Sequence, residues 1–209
     1  MFFDFNGTLS DDEPIMCAIY EELFAREGRP MSAVEYYEQL AGRTEEAIIG
    51  GWLGVEGAAL DALIAERIER YNAIAADGRT VPEEMRAAVR YAASRVPVAI
   101  VSGAFRAEIE PVLAAAGLSE LFAAVVTADD VRDGKPHPAG YLRALELLDG
   151  DVPPAEVVAF EDTEAGIASA KAAGLRCLAV TGTLPSERLV QADELVSLID
   201  VALIQRLLG

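Results

Sequence analysis

The feature that most constrains this chain is a series of short segments that are apolar along nearly their whole length. Met1-Phe2-Phe3-Asp4-Phe5 is the first. Val96-Pro97-Val98-Ala99-Ile100-Val101, Phe122-Ala123-Ala124-Val125-Val126, Val157-Val158-Ala159-Phe160 and Arg176-Cys177-Leu178-Ala179-Val180 follow. A strand with one wet face alternates apolar and polar residues, whereas a strand buried on both faces does not. Between these segments lie stretches with helical periodicity. Residues 82–95 form one, with Pro82 suited to a first turn; another runs to Ala116 and is closed by Gly117. Two more cover 139–148 and 167–173, the latter stopped by Gly174. Buried strands alternating with helices predict an α/β fold: an open parallel, Rossmann-like sheet flanked by helices. The tail at 192–208 predicts one more short strand and a terminal helix.

One stretch breaks the alternation. From Glu13 to Asn72, apolar residues recur only at helical spacing, as in Ile15, Ala18, Ile19, Leu23 and Phe24, with breaks at Gly28-Arg29-Pro30, Gly42-Arg43 and Gly50-Gly51. The chain's 209 residues suit one domain carrying a smaller insert. We therefore expect a core domain of residues 1–13 and 80–209 and an all-α domain of residues 14–79 inserted after the first strand. Trp52 and Tyr36-Tyr37 read as core of that insert.

Open parallel sheets bind ligands beyond the carboxyl ends of their strands. This sequence puts polar residues there: Asp4 after the first strand, Ser102 after the second, Asp129 and then Lys135 after the third, Glu161-Asp162 after the fourth. Several carboxylates brought together repel unless a cation neutralises them, and hard oxygen donors favour magnesium. Carboxylates, magnesium, a lysine and a hydroxyl make a site for a phosphoryl group.

Composition excludes other classes. Lys plus Arg total 17 against 35 Asp plus Glu, a net charge of −18, which predicts no nucleic-acid partner and no anionic membrane surface. Zinc would need Cys17, Cys177, the single histidine His137 and a further ligand, and a Ser-His-Asp centre would need His137, which reads instead as a loop residue. Two cysteines outside any CxxC pair do not make a disulfide framework. Asp4, Asp11, Asp12 and Glu13 crowd the start where a signal peptide would be basic and then apolar. No apolar run approaches the about 20 residues of a membrane span. These features predict a cytoplasmic protein, monomer or homodimer, acting on a small molecule.

Four motifs in order give these residues a family. Asp4-Phe5-Asn6-Gly7-Thr8-Leu9 resembles the first motif of the haloacid dehalogenase-like (HAD) hydrolases, and Ser102 closing Val98-Ala99-Ile100-Val101 resembles the second. Gly134-Lys135-Pro136-His137-Pro138 resembles the third. Phe160-Glu161-Asp162-Thr163-Glu164-Ala165-Gly166, with Ala170, Ala172, Ala173 and Gly174 behind it, resembles the fourth. The insert sits where one subgroup places a helical cap, and Leu40-Ala41-Gly42-Arg43-Thr44 is similar to the specificity loop of such caps. That subgroup includes phosphoglycolate phosphatases, sugar-phosphate phosphatases and β-phosphoglucomutases.

The resemblance implies a magnesium-dependent phosphatase working through an aspartyl-phosphate. Asp4 would be nucleophile and metal ligand, and Asp162, Glu161 (directly or through water) and the main-chain carbonyl of Asn6 would complete the Mg2+ site. Ser102 and the Gly103 amide would bind phosphate oxygens, Lys135 would hold Asp4 and the phosphate together, and Arg43 would meet the substrate's distal group. The insert would close over the crevice, hinging near residues 13–16 and 77–81. One position departs: phosphatases of this family usually carry an aspartate two residues after the nucleophile, and here that residue is Asn6. An amide cannot relay a proton. The substitution leaves open a natural variant with a good leaving group or another base, a mutase, a ligand-binding protein with weakened catalysis, a hydrolase of carbon–halogen or carbon–phosphorus bonds, or an introduced replacement.

Overall fold

The computed structural model describes residues 1–148 and 152–209. A six-stranded sheet forms the centre, in which β1 (Phe2–Phe3), β2 (Ala99–Val101), β3 (Ala124–Val126), β4 (Val158–Glu161), β5 (Arg176–Val180) and β6 (Glu194–Val196) lie in the order β3-β2-β1-β4-β5-β6. Every pairing is parallel. Strand order therefore reverses direction at β1 and β4, the place where such sheets open a crevice.

The period of two divides the core. Phe3, Ile100, Val158, Phe160 and Leu178 face one side, and Phe2, Ala99, Val101, Ala159, Cys177 and Ala179 face the other. Helices α1 (Glu13–Arg26), α2 (Ala33–Glu35), α3 (Gly51–Leu53) and α4 (Gly57–Ala75) follow β1, interrupted by two π-helical turns at Tyr36–Leu40 and Glu46–Gly50. α5 (Glu83–Ala93), α6 (Arg106–Ala116) and α9 (Val201–Leu208) cover the first face of the sheet, and α7 (Ala139–Leu147) and α8 (Glu164–Ala172) cover the second. Alanine and glycine on α8 let it lie close to the sheet, with Ile167 and Ala170 fully buried.

Some boundaries shift from the sequence reading. Strand β3 begins at Ala124 because Phe122 turns its ring edge-on to Phe3, 6.4 Å away, instead of joining the ladder. Residues 13–16, expected near a hinge, are the first turn of α1, and the Ile15 and Met16 amides donate to the Asp12 carbonyl at 2.9 and 3.0 Å. The helical segment instead leaves the sheet through Ser10–Asp12 and returns through residues 76–81. These two crossings are tied together, with the Asp11 amide donating to the Thr80 carbonyl at 2.7 Å and the Ser10 hydroxyl to Thr80 Oγ1 at 2.8 Å. No helix among the described residues is long and apolar enough to cross a membrane.

Candidate active site

The end of β1 lies beside the end of β4, because the Asp4 amide donates to the Phe160 carbonyl at 3.0 Å. This pairing sets Asp4 next to Glu161 and Asp162, three buried carboxyl groups that each offer an oxygen within 4.8 Å of the others. Two glycines make the crowding possible. Gly7 has φ +69°, and a side chain there would place its Cβ 2.0 Å from Asp162 Oδ2; a Cβ on Gly166 would fall 1.7 Å from Glu161 Oε2. Thr163 caps α8 by accepting from the Gly166 amide at 3.2 Å, which fixes the turn that carries Asp162.

Lys135 reaches this cluster from the loop after β3. Its ammonium donates to Asp4 Oδ1 at 2.7 Å and to the Val101 carbonyl at 3.0 Å, and pairs with Glu161 Oε1 at 2.7 Å. The Tyr141 hydroxyl donates to the same Glu161 oxygen at 2.5 Å. Burial disfavours the charged lysine, yet the Asp4 and Glu161 carboxylates outweigh it and hold Lys135 above its ordinary range. One lysine cannot balance three carboxyl groups. Burial, then the neighbouring Asp4, Glu13 and Glu161 carboxylates, push Asp162 well above its usual range, and burial likewise raises Glu161.

Both Asp162 oxygens and Glu161 Oε2 are buried with no hydrogen-bond partner. Orphaned acceptors of this kind call for a cation. An all-oxygen donor set among fixed carboxylates suits a hard divalent ion such as magnesium. The residues present therefore fit the expected metal.

Other expected residues meet at the same cavity. Ser102, Gly103, Asn6 and Arg43 line it with Asp4, Lys135 and Asp162. The Ser102 hydroxyl is buried and accepts from the Ala104 amide at 3.1 Å, leaving its proton to donate. Arg43 is exposed at the mouth. Its loop comes down onto the sheet because Gly42, at φ +78°, has no Cβ to collide with Thr163. Asp129 does not join them. Its carboxylate accepts from the Arg106 amide at 2.8 Å, satisfying the start of α6, where free amides and the helix dipole attract a negative charge. His137 is an exposed loop residue whose Nδ1 accepts from the Ala139 amide. Trp52 stacks on Phe24, whereas Tyr36 is both core and cavity wall.

Residues outside the motifs support the site: Asp12 and Tyr71 brace the first motif from behind. Asn6 Nδ2 donates to Asp12 Oδ2 at 3.0 Å, the Gly7 amide donates to Asp12 Oδ1 at 3.2 Å, and the Tyr71 hydroxyl donates to Asp12 Oδ2. Burial overrides these bonds and raises Asp12 to about 7. From the helical segment, Glu13, Tyr20, Tyr36, Glu45 and Arg67 complete the wall.

Comparison with known proteins accords with this geometry. A family model described as haloacid dehalogenase-like hydrolase matches residues 1–174. Validoxylamine A 7'-phosphate phosphatase of Streptomyces hygroscopicus subsp. limoneus is 34% identical over 93% of this chain and 91% of its own length. Protein CbbY of Rhodobacter capsulatus is 34% identical over 84% of this chain and 82% of its own length. The crystal structure of a mutant CbbY from Rhodobacter sphaeroides in complex with xylulose-(1,5)bisphosphate superposes with a TM-score of 0.82 at 28% identity, covering 93% of this chain and 92% of that one. A six-stranded parallel sheet whose first and fourth strands deliver Asp4 and Asp162 to one crevice, together with these likenesses, places the chain among the haloacid dehalogenase-like hydrolases.

Proposed function

We propose that this hydrolase is a magnesium-dependent phosphatase that acts on a small phosphorylated metabolite through an aspartyl-phosphate on Asp4. The observation that carries the reading is the Asp4–Lys135–Glu161–Asp162 cluster with its orphaned oxygens. Relatives named as phosphatases support it, among them fructose-1-phosphate phosphatase YqaB of Escherichia coli, 31% identical over 84% of this chain and 92% of its own length.

In this reading the Asp4 carboxylate attacks phosphorus with one oxygen while Lys135 holds the other. The phosphorus–oxygen bond to the substrate breaks, an acyl phosphate forms on Asp4, and water then releases inorganic phosphate and regenerates the carboxylate. Ser102 and the Gly103 amide donate to the phosphoryl oxygens. Asp4, Asp162, Glu161 and the Asn6 carbonyl would hold Mg2+, which supplies charge neutralisation of the phosphoryl group when bound. Residues 14–79 act as a cap that excludes water during transfer. Asn6, whose Nδ2 donates to Asp12, supplies no proton to the leaving oxygen, so the reaction favours leaving groups that depart without one.

The test is phosphate release from a panel of phosphate monoesters, with magnesium and with chelator. Turnover that chelator abolishes and Asp4→Asn eliminates is the expected result. Absence of turnover on every substrate, with Asp4→Asn unchanged in magnesium binding, overturns the reading. Asn6 favours a second reading, a ligand-binding protein with weakened catalysis; it predicts tight binding of a phosphorylated ligand without its consumption.

A further inference from the structure

The helical wall of the cavity matches its charges among themselves. Arg67 pairs with Glu45 and with Glu108 of α6. The Tyr20 hydroxyl donates to Glu45 Oε1 at 2.6 Å, and the Tyr36 hydroxyl donates to Glu13 Oε2 at 2.9 Å. Glu45 Oε2 and Arg67 Nε have no partner, but both lie inside this network. Asp12 is placed differently, behind a residue that lines the cavity. It is fully buried, and three donors converge on it. Asn6 Nδ2 and the Tyr71 hydroxyl reach its Oδ2, and the Gly7 amide reaches its Oδ1.

A carboxylate accepts hydrogen bonds and cannot donate them. Asp12 therefore selects the NH2 end of Asn6. The two ends of a planar amide diverge from one carbon, so a held Nδ2 leaves Oδ1 as the end that Asn6 offers to the cavity, which it lines beside Asp4 and Ser102. The hold is double, because Asp12 clasps the Gly7 main chain as well as the Asn6 side chain. The loop between them is fixed in turn, with the Leu9 and Ser10 amides both donating to the Phe5 carbonyl at 2.9 Å. Tyr71 belongs to α4, so the helical segment supplies part of the clasp. An unclasped amide would present its donor and its acceptor to the cavity by turns.

Resting on the phosphatase reading above, we propose that Asp12 is a positioning residue: it fixes Asn6 as a hydrogen-bond acceptor, and Asn6 Oδ1 aims the water that hydrolyses the aspartyl-phosphate. In that step the water oxygen bonds to phosphorus. The bond from phosphorus to Asp4 breaks, its electron pair returns to the carboxylate, and both water hydrogens leave on the phosphate. Asn6 takes no proton, and an amide that only aims a water serves phosphoryl transfer. The first step gains nothing from an acceptor, since a leaving oxygen needs a donor. The two steps therefore depend unequally on Asp12.

Rapid-quench kinetics with p-nitrophenyl phosphate in magnesium separates the steps. Release of p-nitrophenol reports formation of the phosphoenzyme, and decay of protein-bound phosphate reports its breakdown. Asp12→Asn lets Asn6 turn over, because an amide donates as well as accepts. Breakdown is expected to slow about 10–100-fold more than formation. Asn6→Ala should show the same bias, and adding Asp12→Asn to it should cost breakdown little more, because the acceptor is already gone. Equal slowing of both steps, which a merely structural residue would give, overturns the proposal, as does a fully additive loss in the double variant. A second measurement needs no folded variant of Asp12. Asn6 and Asn72 are the only asparagines in the chain, so isotopic labelling of asparagine nitrogen gives two side-chain amide signals in magnetic resonance, and the one missing from Asn6→Ala belongs to Asn6. In the unmodified protein it should exchange with water about tenfold or more slowly than free asparagine. Exchange at the free rate means that Asp12 does not hold the amide, and overturns the proposal. Absence of any phosphoenzyme in the unmodified protein defeats the phosphatase reading and with it the step given to Asn6, whereas the amide signal still decides the clasp.

Discussion

The two ends of the cavity are both rich in carboxyl groups, but their unmet hydrogen bonds differ. At the strand ends, the orphaned atoms on Glu161 and Asp162 are all acceptors. At the helical end, one orphan accepts and one donates. Surplus negative charge alone would make the two places equivalent. The sense of the orphans separates them: the strand-end set asks for a cation, whereas the helical set already holds one in Arg67. Burial makes this distinction matter, because an exposed acceptor would simply turn to water.

Replacing a group at one end should leave the other end's property standing, which makes the comparison breakable. The largest effect belongs to Asp4→Asn, which should reduce phosphate release on the order of 10⁴–10⁶-fold, measured by steady-state kinetics, while the buried Arg67 pairs and the stability they give persist. Next, Asn6→Asp should raise turnover about 10²–10⁴-fold, since it restores a proton carrier beside Asp4. An unchanged rate would mean that proton transfer does not limit the reaction. Third, Arg67→Met should destabilise the protein by about 3–5 kcal/mol in denaturant titration, because Glu45 and Glu108 are left buried without their partner. The same measurement on an exposed pair such as Arg90–Glu83 should give about 0–1 kcal/mol.

The smallest effect is a slope in pH. Burial and the Asp12 and Asp4 carboxylates raise Glu13 from 4.5 to about 7. The folded state then holds its proton more tightly than the unfolded chain, so Glu13 contributes stability below about pH 4.5 that is lost as pH rises through about 7. Glu13→Gln should flatten that decline. Asp12 shifts in the same direction and keeps part of the slope. A variant with an unaltered slope would remove Glu13 from the buried wall.

Much of the fold was legible because its strands are buried on both faces, and an unbroken apolar run as short as 98–101, closed by a turn, reads naturally as such a strand. The placement of Asp4, Ser102, Lys135 and Asp162 followed from the rule that parallel strands end on one side. Asp129 obeyed the same rule and still went elsewhere, since an amide at the start of α6 competed for it. The helical wall was not legible. Glu13 meets Tyr36 across 23 residues, and Arg67 meets Glu45 and Glu108 across 22 and 41. Periodicity reports which helical face is covered, not which distant carboxylate waits there. Asp11-Asp12-Glu13 read as an acidic start, and only the folded chain turns Asp12 and Glu13 inward.

The Arg67–Glu108 pair has a kinetic corollary. Arg67 is rooted in α4 and Glu108 in α6, so the contact spans the seam between the helical segment and the sheet. Any separation of the helical segment from the sheet at this point would carry both ions into water. Dissolved salt scarcely touches the pair while it is dry but stabilises its members once wetted. Added salt would therefore lower the cost of that separation while leaving the closed pair almost untouched.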